Sequence, residues 1–223
     1  MTIVNKDVLK SYFNNKKVPN ETHYGDLIDT LFSNSKSIMS IYQSLPAIRG
    51  IWSASSFDED YNIYDLSGQG RTLYPSSNTP YYGIDSNLAS VNFSASESRY
   101  FIRANELGLS ITGTESRIGS LVRGLTFGGW FMPLIAGSGD LQYYMGKYNY
   151  TTGARSYVLR KNANNNYAGV ISTDGSAVIV TPDVPVTFDT WQHVVIRFIP
   201  STSLDIFVDG VKSSTTTGIP ASI

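Results

Sequence analysis

Trp191-Gln192-His193-Val194-Val195-Ile196-Arg197-Phe198-Ile199-Pro200-Ser201-Thr202-Ser203-Leu204-Asp205-Ile206-Phe207-Val208-Asp209-Gly210-Val211 is the stretch whose reading decides the fold. Its two arms, Val194 to Ile199 and Leu204 to Val208, are rich in β-branched and aromatic residues. The Pro-Ser-Thr-Ser run between them is turn chemistry, so the stretch reads as an antiparallel hairpin. A second reversal follows at once, because Asp209-Gly210 tolerates the positive φ values of a tight two-residue turn and returns the chain into Val211. On the second arm Leu204, Ile206 and Val208 share one face and Asp205 and Asp209 the other, which predicts a half-buried strand. The first arm is apolar on both faces and is predicted to be covered on both.

Two segments upstream extend this picture: Tyr64-Asp65-Leu66-Ser67-Gly68-Gln69-Gly70, and Leu125-Thr126-Phe127-Gly128-Gly129-Trp130-Phe131-Met132-Pro133. Phe127 to Phe131 reads as a central strand whose glycines let another backbone or ring come close. Trp130 and Trp191 read as core aromatics, because large aromatics in strands are usually buried. In this order the three segments resemble laminin-G-like, concanavalin A-type domains, in which a Trp-x-His-Val strand leads into a Tyr/Phe-Val-Asp-Gly hairpin. The resemblance runs from about Ile48 to the C-terminus. It implies a mostly β protein with a concanavalin A-like jelly-roll β-sandwich over residues 47–223. Lectins, enzyme domains and adhesive modules all use that fold, so it leaves function open. In the family further strands follow the Val-Asp-Gly hairpin and close the sandwich, whereas here Lys212 to Ile223 follow, rich in Ser and Thr. Two alternatives result: the chain is a fragment of a longer one, or a partner chain supplies the closing strand.

Residues 1–46 differ in kind. Asn5 or Asp7 is placed to cap a short helix carrying Val8, Leu9, Tyr12 and Phe13, which ends before Pro19. A second helix is predicted to start with Asn20 as N-cap and Glu21 in its first turn. Along it Tyr24, Ile28, Leu31, Ser35, Ile38, Tyr42 and Leu45 recur in steps of four and three, the narrow seam of a coiled coil, with Ser35 as a small polar register device. The expectation is an α-helical stem forming a parallel homo-oligomer, a trimer. Leu27, Phe32 and Met39 widen the seam, so an amphipathic helix docked on its own sandwich is the alternative. Pro46 stops the helix and Gly50 frees the backbone, placing the junction between domains at 46/47. Leu9 to Phe13, Val18 to Tyr24 and Asp26 to Phe32 resemble the short N-terminal module of bacteriophage fibre and appendage proteins, with Asn20 for the usual hydroxyl cap and Tyr24 for Phe. That resemblance implies an attachment or trimerisation element with other virion proteins as partners. The run Ala104 to Glu115, with Arg123 to Thr126, resembles a subgroup of these sandwich domains met in phage structural proteins.

Composition bounds the chemistry. The chain has 223 residues, enough for a sizeable core, and its 17 basic side chains against 18 acidic ones give no bulk electrostatic case for nucleic acid or an anionic membrane. Cysteine is absent, which removes disulfide scaffolds and thiol chemistry. The start, Met1 to Asp7, shows no signal-peptide pattern, and no segment is apolar enough to span a bilayer, so synthesis in a host cytoplasm and residence in a virion are expected. The histidines, His23 and His193, make no zinc cluster, the Glu-x-Asp-x-x-Glu strand of glycoside hydrolases with this fold is missing, and so is any phosphate-cradling glycine loop. A non-enzymatic protein without a cofactor is therefore expected. Asp58-Glu59-Asp60 with Asp65 offers oxygens that suit calcium, but the spacing fits no EF-hand and a solvated turn is the plainer reading, so no metal is assigned.

Binding remains. A pyranose has an apolar face and a polar rim, which aromatic rings and amide or charged groups match. The candidate ligand-binding residues are Tyr143, Tyr144, Tyr148, Tyr150, Arg155 and Asn162. The plainer alternative makes half of these tyrosines core and the asparagines turn residues. The sequence thus points to a phage structural protein, a fibre or decoration appendage of head, neck or tail, whose sandwich takes host surface glycans. A cement protein without ligand and a polysaccharide hydrolase of the same fold are the alternatives.

Overall fold

The computed structural model of the chain describes residues 49–76, 81–85, 88–93, 100–105, 109, 124–135, 139–149 and 152–223. The helical stem with its Tyr24–Leu45 seam, the trimer built on it, the 46/47 junction and Tyr150 lie outside the described residues. The chain divides into two compact units, Met1–Ala104 and Asn105–Ile223. Every named element is an antiparallel strand.

In the first unit β1 (Trp52–Phe57), β2 (Ile63–Asp65), β3 (Tyr74–Pro75), β4 (Tyr81–Asp85), β5 (Leu88–Asn92) and β6 (Phe101–Ile102) form three two-stranded pairs, β1 with β2, β3 with β6 and β4 with β5. The loop after β2 is held by one carboxylate. Asp65 accepts the N–H groups of Ile51 at 3.0 Å, Ser67 at 2.9 Å and Arg71 at 3.0 Å. Partial burial pushes its carboxyl up, and the bonds from Ser67, Ile51 and Arg71 outweigh that and leave it below its usual value. Asp58 closes its own turn in the same way, accepting from Asp60 N–H and from both amide groups of Asn62.

The second unit is a two-sheet sandwich. One sheet runs β11 (Ile179–Val180), β10 (Asn166–Ile171), β9 (Ala154–Lys161), β8 (Gln142–Asn149), with β12 (Val184–Pro185) also on β10. The other runs β15 (Val211–Thr217), β14 (Ser203–Val208), β13 (Gln192–Ile199), β7 (Leu125–Phe131). The hairpin that opened the sequence reading is the centre of this second sheet. Val194, Ile196 and Phe198 of β13 lie opposite Val208, Ile206 and Leu204 of β14, and all but the half-buried Val208 are fully buried. They pack on Tyr157, Leu159, Tyr167 and Ile171 of the facing sheet. Gly169 lets the sheets close, since a Cβ there would sit 2.7 Å from Ile196 Cδ1. Asp209 and Gly210 take φ values of 50° and 81°, as the two-residue turn requires.

Three expectations are corrected here. Phe127 to Phe131 lies in β7, which ends its sheet among the described residues and is not central. Its glycine reading holds, because a Cβ on Gly128 would collide with the Val194 carbonyl. Trp130 is not a core aromatic: it is 64% exposed, because Leu125, Phe127 and Phe131 take the inner phase of the strand and leave Trp130 outside, against the His193 ring at 5.1 Å. Trp191 is half-buried.

The third concerns Asp205. It lies on the outer face of β14 as expected, yet it is 0% exposed. Arg197 donates to its Oδ2 from Nη2 at 2.7 Å and Nε at 3.1 Å, and Ser203 from Oγ at 3.1 Å. Oδ1 is met by Lys212 Nζ at 3.0 Å and accepts from Thr215 Oγ1 at 2.5 Å. Burial pushes this carboxyl up, but the bonds from Thr215, Arg197, Lys212 and Ser203 together outweigh it and hold the pKa at about 2.

Candidate functional site

The aromatic segment read from the sequence forms β8, where alternation decides which tyrosines meet solvent. Tyr144 turns inward. It stacks on Phe131 with centroids 5.0 Å apart and lies 6.0 Å from the Tyr167 ring, and burial pushes its phenol up. Tyr143 and Tyr148 turn outward, their rings 5.7 Å apart and tilted by 30°. Tyr143 is 47% exposed and Tyr148 half-buried, and both lie on β8, which ends its sheet among the described residues.

The ladder with β9 brings charge to this surface. Tyr148 lies opposite Arg155 and Tyr143 opposite Arg160, with Gly146 opposite Val158 between them. Residues paired across an antiparallel ladder project to the same side with Cβ atoms about 5 Å apart. Each of these tyrosines is therefore paired in register with an arginine, and Gly146 lets β8 and β9 close, since a Cβ there would collide with the Tyr157 carbonyl. Arg155 donates from Nη1 to the Ser176 carbonyl at 2.7 Å, which fixes its head.

Of the residues proposed from the sequence, the structure brings Tyr143, Tyr148 and Arg155 together. Asn162 lies just beyond the far end of β9 and its amide is spent on a turn: Oδ1 accepts the N–H groups of Asn164 and Asn166, each at 3.0 Å, and Nδ2 donates to Asp183 at 2.9 Å. Arg160 escaped the sequence reading. The alternation from Tyr157 to Lys161 puts it on the outer phase, but irregularities between Tyr143 and Met145 and between Lys147 and Tyr148 break the count that would have placed it opposite Tyr143.

Beneath the same end of the sheet lies Lys161, fully buried, donating to the Asp140 carbonyl at 2.6 Å and to Asn165 Oδ1 at 3.2 Å. Burial pulls its amine below the ordinary value and the charge of Asp140 offsets part of that. Its bonds tie the 139–140 turn to the Asn165 turn. Among the described residues no three His, Asp or Glu side chains converge as a metal site would need.

The arrangement is an antiparallel sandwich in which an outward aromatic pair on β8 lies in register with two arginines of β9. Residues 111–223, half of the chain, match a laminin-G family model described as the concanavalin A-like lectin/glucanases superfamily, and the chain belongs to that family. The Tyr64–Gly70 motif lies outside the matched span. No curated protein matches the sequence. Among solved structures the chain is similar to the binding domain of Paraclostridial Mosquitocidal Protein 1, with a TM-score of 0.54 and 12% identity over 76% of this chain and 40% of that one. It is also similar to the receptor binding domain of botulinum neurotoxin D, with a TM-score of 0.53 and 11% identity over 79% of this chain and 41% of that one. The chain thus spans well under half the length of these structures, and at such identities the likeness is one of fold.

Proposed function

We propose that this chain is a non-catalytic appendage protein of a phage virion whose sandwich binds glycans of the host surface. The observation that carries the binding part is the outward Tyr143–Tyr148 pair, with rings 5.7 Å apart on a rigid strand. Two adjacent aromatic faces suit the apolar face of a pyranose, and buried rings such as Tyr144 do not. The family, which includes lectins, and the two toxin domains, both binding domains by name, accord with recognition. The virion part rests on the resemblance of residues 9–32 to the N-terminal module of phage appendages, and implies a helical stem that gathers three sandwiches.

A glycan array probed with the full chain tests the binding part. Signal above background is expected for at least one glycan class, with Tyr143→Ala and Tyr148→Ala each lowering it by about tenfold, the loss of one stacking contact. A blank array would favour a cement protein without ligand. Release of reducing ends from a bound polysaccharide would favour a hydrolase and end the non-catalytic reading.

A further inference from the structure

Arg155 and Arg160 of the tyrosine cluster both bury an Nε that makes no hydrogen bond among the described residues, and of the two Arg155 has its Nη1 bonded to the Ser176 carbonyl. No carboxylate among the described residues forms an ion pair with Arg160. The contrast is Arg197 on the other sheet, whose Nε and Nη2 are both satisfied by Asp205. A guanidinium can only donate, and with Nε shut away from solvent it is the Nη groups of half-buried Arg160 that an arriving acceptor would meet.

The neighbours sharpen the point. Arg155 is paired with Tyr148 across the same two strands, so the register assigns a second arginine to the aromatic pair. Gly146 and Val158, the pair between, add no acceptor. A neutral sugar presents hydroxyls that donate as well as accept, and the donors among them gain nothing from two arginines, which cannot accept. A carboxylate or phosphate presents acceptors alone, in the fork geometry that guanidinium matches.

We infer that the ligand of this site is an anionic saccharide, its carboxylate or phosphate held by Arg160 while its ring lies on Tyr143 and Tyr148. The assignment rests on the glycan-binding reading above and names the class of sugar. Arg155, held in place by Ser176, adds positive potential along the same edge.

The test uses the full chain on an array with carboxylated, phosphorylated and neutral members, plus carboxyl-reduced counterparts of the carboxylated set. Signal is expected on anionic members alone. If the anion is a carboxylate, reduction lowers it by about tenfold or more, and if it is a phosphate the signal lies in that arm. Arg160→Gln should lower binding of the anionic members by about tenfold while Arg160→Lys keeps part of it, because a lysine ammonium supplies charge without the fork. Raising salt from about 0.05 to about 0.5 M should weaken binding of the unsubstituted chain. Equal binding of neutral and anionic members, with Tyr143→Ala lowering both and Arg160→Gln lowering neither, overturns the anion and leaves the glycan reading standing. A blank array removes both. The carboxyl-reduced arm needs no variant, so the result is decisive even if Arg160→Gln does not fold.

Discussion

At the scale of single residues, Asp205 shows how a charge can be buried in a small sandwich without weakening it. Its two oxygens are divided among four donors from three strands, Arg197 on β13, Ser203 on β14, and Lys212 and Thr215 on β15, so every lone pair that leaves water finds a partner. The folded carboxyl titrates at about 2, below an unfolded value near 3.9. A group with a depressed folded pKa contributes its stability in full above the unfolded pKa and loses it as pH falls through the folded one. Asp205 is therefore expected to support the fold above about pH 4 and to lose that support progressively towards pH 2. Its cationic partners are partly exposed, so the contribution is on the order of 1–2 kcal/mol. Urea unfolding of the native chain and of Asp205→Asn should differ by that amount at pH 7 and converge near pH 2, and curves that stay parallel would assign the bonds no net role. The carboxylate's face was legible in the sequence and its burial was not, because three of its four donors come from neighbouring strands whose register no single strand reveals.

At the scale of elements, what the sequence made plain is what one strong face dictates. Val194, Ile196, Phe198, Leu204 and Ile206 repeat with period two, and a slip of one residue would turn all of them to water, so their register is set by burial. Trp130 was misread because its size was weighed ahead of its phase: Leu125, Phe127 and Phe131 already fill the inner side of β7. The Tyr143–Arg160 pairing was hidden by the two irregularities of the β8–β9 ladder. Contact between the sheets was equally invisible, and Gly169 is the position that tests it. A Cβ there would lie 2.7 Å from Ile196 Cδ1 and 3.2 Å from Cγ2, so Gly169→Ala must push β10 and β13 apart or force Ile196 off its rotamer, at about 1–3 kcal/mol. Ile196→Ala opens a cavity at the same spot and costs about 2–4 kcal/mol alone. In the double variant the added methyl enters the space that Ile196 vacates, so thermal or urea unfolding should give a loss clearly smaller than the sum of the two singles. Strict additivity would mean that the sheets do not meet at this pair.

For the molecule as a whole, the proposed glycan binding raises the question of how a shallow aromatic surface gains affinity. A tyrosine pair with flanking arginines on an open strand buries little of a sugar, and such a contact alone is weak. Linking several identical heads converts later contacts into intramolecular ones and raises the effective affinity by orders of magnitude without any new bond. That is the physical reason to expect the stem and the sandwich to work together, and it makes the proposed trimer part of the binding mechanism. Sedimentation equilibrium of the full chain at micromolar concentration should then give about three times the 24.5 kDa of one chain. Ile28→Asp combined with Leu31→Asp places two charges in the seam and should return the protein to a single-chain mass, while the melting of the sandwich, reported by near-ultraviolet circular dichroism, stays unchanged. The same variant should bind a surface densely coated with ligand at least about tenfold more weakly, yet bind soluble monovalent ligand as before. A single-chain mass for the unsubstituted protein would remove the stem from the mechanism. A drop in monovalent binding would show that the stem shapes the site itself, where multivalency requires that it only gather copies of it.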